Sequence, residues 1–322
     1  MQDKIIITKK DEVFAKITCE KHLAQELSEF FTFFVPGYQF VPAFRNRLWD
    51  GKIRLFDLRS FTLYLGLLPY LHQFCNERSY EYEYDETGAD LTDDYPVYHA
   101  DKFIEELKLQ SNNKNIEVRD YQKNAFVQGM RHKRELLLSP TASGKSLIIY
   151  LFVRQLLQYQ DLKGLILVPT TSLVEQLYSD FDDYSAVNGW KVEDNVHRIY
   201  QGREKQTNKK VVISTWQSLY TLPKEYFEQY DYVIGDEAHL FKAQSLTKIM
   251  TSLTNTKYRI GLTGTLDGTK THKLVLEGLF GPVRKVTTTK ELIDKGQLSE
   301  FQIKCRSEEH TSELQSHHDL VC

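Results

Sequence analysis

Between the apolar run Glu135 to Leu138 and the amphipathic stretch Ser146 to Gln158 lies Ser139-Pro140-Thr141-Ala142-Ser143-Gly144-Lys145-Ser146. A glycine-containing loop that joins a short buried strand to a helix start restricts the fold more than any other feature of the chain, because it needs a sheet to anchor the strand and a helix to receive the loop. From Tyr121 onward the sequence supplies both. Strand-like segments at Gly164 to Val168, Val196 to Tyr200, Lys210 to Ser214, Tyr232 to Asp236 and Tyr258 to Thr263 alternate with helical spacing at Thr171 to Asp180, Ser245 to Leu253 and Leu274 to Phe280. That alternation implies βαβ units around a mostly parallel sheet, so the fold class is α/β.

The loop suits a phosphate ligand. Backbone N–H groups of the loop can converge on phosphate oxygens and the helix N-terminus adds its positive dipole end. Lys145 can reach the outer phosphates, and the Ser146 hydroxyl can coordinate Mg²⁺. The loop departs from G-x-x-x-x-G-K-[ST] at its first position, where Ser139 replaces glycine. Further on, Tyr232-Val233-Ile234-Gly235-Asp236-Glu237-Ala238-His239 ends an apolar strand on two adjacent carboxylates. Ligands of parallel α/β sheets lie at the carboxyl ends of strands, which brings Asp236 to the same crevice. There Asp236 would hold Mg²⁺ and Glu237 would polarise an attacking water. A Gly-Lys-Ser helix start also arises by chance, and an acidic strand end also caps helices; the two in this order favour nucleotide chemistry.

These residues resemble the superfamily 2 nucleic-acid helicases and translocases, and further strings follow in that family's order. The resemblance implies a RecA-like lobe, an ATP and Mg²⁺ requirement, and catalytic roles for Lys145, Asp236 and Glu237. By it, Gln122 in Arg119-Asp120-Tyr121-Gln122 reads the adenine, and the loop Pro140, Thr141, Ala142, Ser143, Gly144, Lys145 and Ser146 binds ATP. Pro169 and Thr170, with Thr215, Trp216 and Gln217, lie at strand ends that touch the nucleic-acid backbone. His239, Thr263 and Thr265 would couple phosphate state to that contact, although the two threonines could equally be turn or cap residues.

The first part of the chain reads as a small α+β unit, with strands at Ile5 to Thr8, Val13 to Thr18, Tyr38 to Phe44, Lys52 to Phe56 and Tyr80 to Tyr84. Helical spacing follows at Leu23 to Phe31 and Leu67 to Arg78. Around the Asp50-Gly51 turn, Phe44 to Arg54 places Arg45, Arg47, Lys52 and Arg54 against one acid and beside Trp49. Such a strip can pair phosphates and stack on bases, or form a solvated hairpin anchored by a buried Trp49. Arg-x-Arg-x-Trp-Asp-Gly-Lys-x-Arg-Leu ahead of a motor core is similar to the UvsW-type recombination and repair helicases of T4-like bacteriophages. That resemblance implies a DNA-dependent ATPase acting on forked, junction or double-stranded DNA. Competing readings are a translocase that does not unwind, and a DNA-binding module with an inactive motor lobe; a small-molecule kinase has no role for the later strings.

The expected organisation is an accessory nucleic-acid-binding domain over 1–98, a connection over 99–118, the ATP-binding lobe over 119–286, the start of a linker to a second lobe over 287–305, and a non-native tail over 306–322. Residues 306 to 316 can be spelled by codons matching the start of a common sequencing adapter, which is why the native frame is expected to end at Cys305. Without a second lobe, little ATP turnover is expected from this chain alone. Net charge is −3, but residues 1–110 carry −6 and residues 111–305 carry +6, so any polynucleotide contact must be local. Four scattered cysteines give no zinc or disulfide pattern, and no apolar run approaches the ~18 residues of a membrane span. A cytoplasmic monomer is the expectation.

Overall fold

The computed structural model describes residues 4–85, 92–240, 243–266 and 270–298. The suspected tail and residues 299–305 lie outside the described residues.

The first unit comprises β1 (Lys4–Lys9), β2 (Phe14–Thr18), α1 (Lys21–Phe30), β3 (Thr32–Phe34), α2 (Pro42–Arg45), β4 (Lys52–Arg54), β5 (Phe56–Asp57), β6 (Thr62–Tyr64), α3 (Leu68–Arg78) and β7 (Glu81–Tyr84). Its sheet runs β5-β6-β2-β1-β7, antiparallel except for β7 beside β1. Period-two alternation points Ile5, Ile7, Ala15 and Ile17 inward, where they share a core with Leu23 and Leu27 of α1 and Leu71 and Phe74 of α3.

One expected strand is absent. Tyr38 to Phe44 forms a 3₁₀ turn at Tyr38–Phe40 and then α2, with Pro42 at the first helical turn, where its fixed φ favours a helix start. Strand β4 therefore pairs with β3, and the Asp50-Gly51 turn closes a longer loop. Gly51 has φ +77, and a Cβ there would stand 2.4 Å from the Tyr38 ring, so the turn admits only glycine without rearrangement.

The second unit begins earlier than the sequence suggests. Helix α4 (Val97–Leu107) and the hairpin of β8 (Gln110–Ser111) and β9 (Lys114–Asn115) bury Ala100, Phe103, Leu107 and Leu109 in the core of this unit, so 99–118 is not a bare connector. There follow α5 (Asp120–His132), β10 (Arg134–Leu138), α6 (Lys145–Gln160), β11 (Gly164–Val168), α7 (Thr171–Tyr184), α8 (Val192–Asn195), β12 (Val196–Ile199), β13 (Val211–Thr215), α9 (Trp216–Leu219), β14 (Tyr232–Gly235), α10 (Ala243–Ser252), β15 (Tyr258–Thr263), α11 (Lys270–Leu279), β16 (Val283–Lys285) and α12 (Thr289–Asp294). The sheet order is β12-β13-β11-β14-β15-β10-β16, with every pairing parallel. Alternate residues enter opposite cores: Leu165 and Leu167 face one, Ile166 and Val168 the other. Burial on both faces is what an all-parallel sheet requires.

The first unit is fused to one of those cores. Gly66 lies so close to α11 that a Cβ would come within 1.9 Å of the Glu277 carbonyl oxygen. Beside it, the Tyr70 hydroxyl donates to Glu277 Oε2 at 2.7 Å. At the sheet's lower edge Arg134 pairs with Glu12 at 2.7 Å, and the Glu12 N–H donates to the Thr254 carbonyl. Burial would raise the Glu12 carboxyl, but its bonds to Lys9 and Arg134 win and hold it below the usual range. Nearby, fully buried Arg259 donates to the carbonyls of Met250, Leu253, Thr256 and Leu279, tying β15 to the ends of α10 and α11.

Candidate nucleotide cleft and nucleic-acid face

Strand β10 hydrogen-bonds to β15 and β16 and so delivers the loop 139–144 at the carboxyl edge of the sheet. The loop's departure from glycine at position 139 is absorbed internally. Ser139 is buried, its Oγ lies 2.6 Å from Ser143 Oγ, and Ser143 Oγ donates to the Pro140 carbonyl at 2.6 Å. Ala142 and Gly144 have φ of +65 and +76, the left-handed geometry that turns successive N–H groups toward one side. Helix α6 starts directly after Gly144 with no side chain capping it, so its first N–H groups remain available to an anion.

Lys145 forms an ion pair with Glu237 across the cleft. Glu237 follows β14 with φ +49, a left-handed conformation uncommon for a side-chain-bearing residue, and its N–H donates to Asp236 Oδ1 at 3.0 Å. Burial pushes the Asp236 carboxyl up to about 6; Lys145 opposes this, and Glu237 adds to it. These residues line a cleft of about 310 Å³ together with Thr141, Ala142, Gly144, Ser146, Gln176 and Asp180. Gln176 and Asp180 were not read from the sequence, although their spacing on α7 puts them on one face with Leu173 and Leu177.

On the far side of the acidic pair, His239 Nδ1 lies 2.6 Å from Thr263 Oγ1 and 3.5 Å from Glu237 Oε2. Thr263 Oγ1 also contacts the carbonyl of exposed Thr265 at 2.7 Å, making one chain of contacts from Glu237 to the end of β15.

Gln122 packs against the phosphate loop. It is buried, its Oε1 accepts from the Arg119 N–H at 3.0 Å and its Nε2 donates to the Ser143 carbonyl at 2.9 Å. Both ends of the amide therefore help to fix the loop. Pro140 and Ser143 likewise shape the loop rather than line the cleft.

A second, open groove lies at the ends of β11, β12 and β13. Pro169, Thr170, Thr215 and Gln217 line it, and Gln217 Nε2 bonds the Pro169 carbonyl at 3.1 Å. Trp216 does not join them. It is 7% exposed and packs into the core under α9, so it is a structural anchor and not a surface for a nucleic acid. The groove instead gains Tyr200, Arg203 and Lys205 from the loop after β12. The turn at Gln201-Gly202 with its flanking basic residues was the signal available for them.

In the first unit, Arg45 and Arg47 are exposed, Leu48 at the loop tip is 81% exposed, and Lys52 lies 4.9 Å from the Phe34 ring centre. Arg54 is engaged by Asp50. Trp49 is half-buried and its Nε1 donates to the Lys52 carbonyl at 2.9 Å, so its polar edge holds the loop together.

Residues 4–85 match the family "DNA helicase UvsW, N-terminal", and residues 115–268 match "Type III restriction enzyme, res subunit". A crystal structure of the UvsW helicase from bacteriophage T4 superposes with a TM-score of 0.79 at 34% identity, covering 88% of this chain and 100% of that one. The chain belongs to the UvsW helicase family. Within superfamily 2, this UvsW-family chain is 35% identical over 292 residues to the ATP-dependent DNA helicase of phage T4, covering 89% of this chain and 57% of that protein. It is 26% identical over 193 residues to a DNA 3′–5′ translocase of Sulfurisphaera tokodaii, covering 59% of this chain and 40% of the translocase. The chain thus spans little more than half the length of the phage relative. Among the described residues no helix is long and apolar enough to cross a membrane.

Proposed function

We propose that this chain forms the ATP-binding lobe and the accessory DNA-binding unit of an ATP-driven DNA helicase that works on forked or junction DNA. The observation that carries the reading is the Lys145–Glu237 pair at the mouth of a left-handed phosphate loop, joined through His239 to Thr263. An incoming triphosphate would take over Lys145, releasing the Glu237 carboxylate to accept a proton from an attacking water. The change at Glu237 would pass to His239 and Thr263, and thence toward the strand ends that line the second groove. Ser146 and Asp236 fit a divalent cation, with a hydroxyl and a carboxylate at the same cleft as the free N–H groups of α6; bound Mg²⁺ would neutralise phosphate charge. Arg203 and Lys205 would pair backbone phosphates, while Arg45, Arg47, Lys52 and Leu48 would meet DNA at the loop of the first unit.

Among the described residues lining the cleft, Lys145 is the one cation. Related phosphoryl-transfer enzymes draw roughly 10³–10⁵ of their rate from an arginine finger. Weak turnover is therefore the expected behaviour of this chain alone. The test is ATP binding and DNA-stimulated hydrolysis by purified protein beside Lys145→Ala. Binding lost in that variant supports the reading; equal binding would overturn it. Strand displacement on forked DNA by a chain matching the full length of the phage relative separates unwinding from translocation.

A further inference from the structure

The Ser146 hydroxyl is not free. Its Oγ lies 2.9 Å from the Tyr184 hydroxyl, and the Asp180 carboxylate lines the same cleft as Ser146, both partners being on α7. The donor order follows from chemistry. An ionised carboxylate only accepts, so a Ser146 proton turned toward Asp180 leaves Tyr184 to donate to Ser146 Oγ, and one lone pair of that oxygen remains for a cation. The two partners together fix the direction in which that lone pair points.

Helix α7 is well placed to transmit movement. Leu173, Gln176, Leu177 and Asp180 line the nucleotide cleft, whereas Thr170 and Thr171 at its start line the open groove. From Thr171 to Tyr184 the helix spans roughly 20 Å at ~1.5 Å per residue. Its C-terminal end is pinned, because Asp183 accepts from the Asn112 N–H at 2.9 Å and the Tyr184 ring packs on Tyr150 at 5.4 Å.

We infer that Asp180 and Tyr184 are positioning residues for Ser146 as a magnesium ligand, and that α7 carries the state of this ligand to the polynucleotide groove. The inference rests on the nucleotide reading of the cleft and adds to it a second route of coupling, separate from His239 and Thr263.

Calorimetric titration of ATP into the 322-residue protein, at a series of Mg²⁺ concentrations and in EDTA, tests it. Tyr184→Phe keeps the ring and removes the hydroxyl. Outer-shell changes of this kind typically cost about 10–100-fold in metal affinity, so the Mg²⁺ requirement should rise by about tenfold while ATP binding in EDTA stays as it was. Asp180→Asn should likewise raise the Mg²⁺ requirement, providing a second variant should the first fail to fold. In a Ser146→Ala background, Tyr184→Phe should add less than about twofold, since the partner is gone. The factor by which Mg²⁺-ATP changes affinity for duplex DNA should shrink in Tyr184→Phe, with nucleotide-free DNA binding unchanged. An unaltered Mg²⁺ requirement in both variants, or an equal loss in the Ser146→Ala background, overturns the inference. Loss of Mg²⁺-ATP binding by the parent protein itself would instead sink the reading of the cleft, and the inference with it.

Discussion

The ammonium of Lys145 and the carboxylate of Glu237 form an ion pair that closes the cleft between the phosphate loop and the end of β14. A nucleotide must displace this pair, so the two groups compete with the ligand before they serve it. Glu237→Gln removes the competing charge. Partly exposed pairs contribute up to ~1 kcal/mol, which sets an expected gain in ATP affinity of at most about fivefold. Fluorescence or calorimetric titration of ATP measures it, and weaker binding in the variant would contradict the displacement step.

Thr263→Ala breaks the 2.6 Å contact with His239 while keeping the backbone bond from the Ser139 N–H to the Thr263 carbonyl. ATP affinity should be retained while the ATP-dependent change in DNA affinity shrinks. Paired DNA titrations with and without nucleotide distinguish the two.

Two substitutions at the open groove should differ in kind. Arg203→Ala should weaken DNA binding and reduce the salt slope by about 0.7–0.9, the value for one phosphate contact. Trp216→Ala removes a buried aromatic from the core, with an expected destabilisation of about 3–5 kcal/mol and no change in salt slope. Denaturant melts and salt-dependent DNA titrations separate these outcomes.

Glu135 gives a pH dependence. It is buried at the start of β10, and burial pushes its carboxyl up to about 7 despite the Arg284 ion pair at 2.6 Å. Its folded-state pKa exceeds its unfolded value of 4.5, so the folded protein binds more protons between these limits. Stability from this group is fully present below 4.5 and is lost as pH rises through about 7. The loss is on the order of 3 kcal/mol. Glu135→Gln should flatten that slope and melt at a higher temperature than the parent at pH 8; a parallel pH profile would refute the assignment.

Gly66→Ala tests the union of the two units. Its Cβ would strike the Glu277 carbonyl, and overpacking of this sort costs roughly 1–3 kcal/mol. A lowered melting temperature in thermal unfolding is expected.

The apolar runs of β10, β11 and β15 and the Gly144-Lys145-Ser146 helix start were legible in the sequence, because local hydrophobicity and loop chemistry are properties of a few adjacent residues. The acidic pair after β14 was legible for the same reason. By contrast, β16 has only three residues with no apolar period, and Pro42 turned an expected strand into a helix. Tertiary structure alone decided that Trp216 faces inward, that Gln122 fastens the loop from within, and that Arg203 meets Gln217 in one groove. It also decided the pairing of Glu12 with Arg134 and the seating of Gly66 on Glu277. Periodicity reports that a face will be buried. Which distant residue meets it is set by how the sheet folds back on itself, and that information belongs to no local stretch of chain.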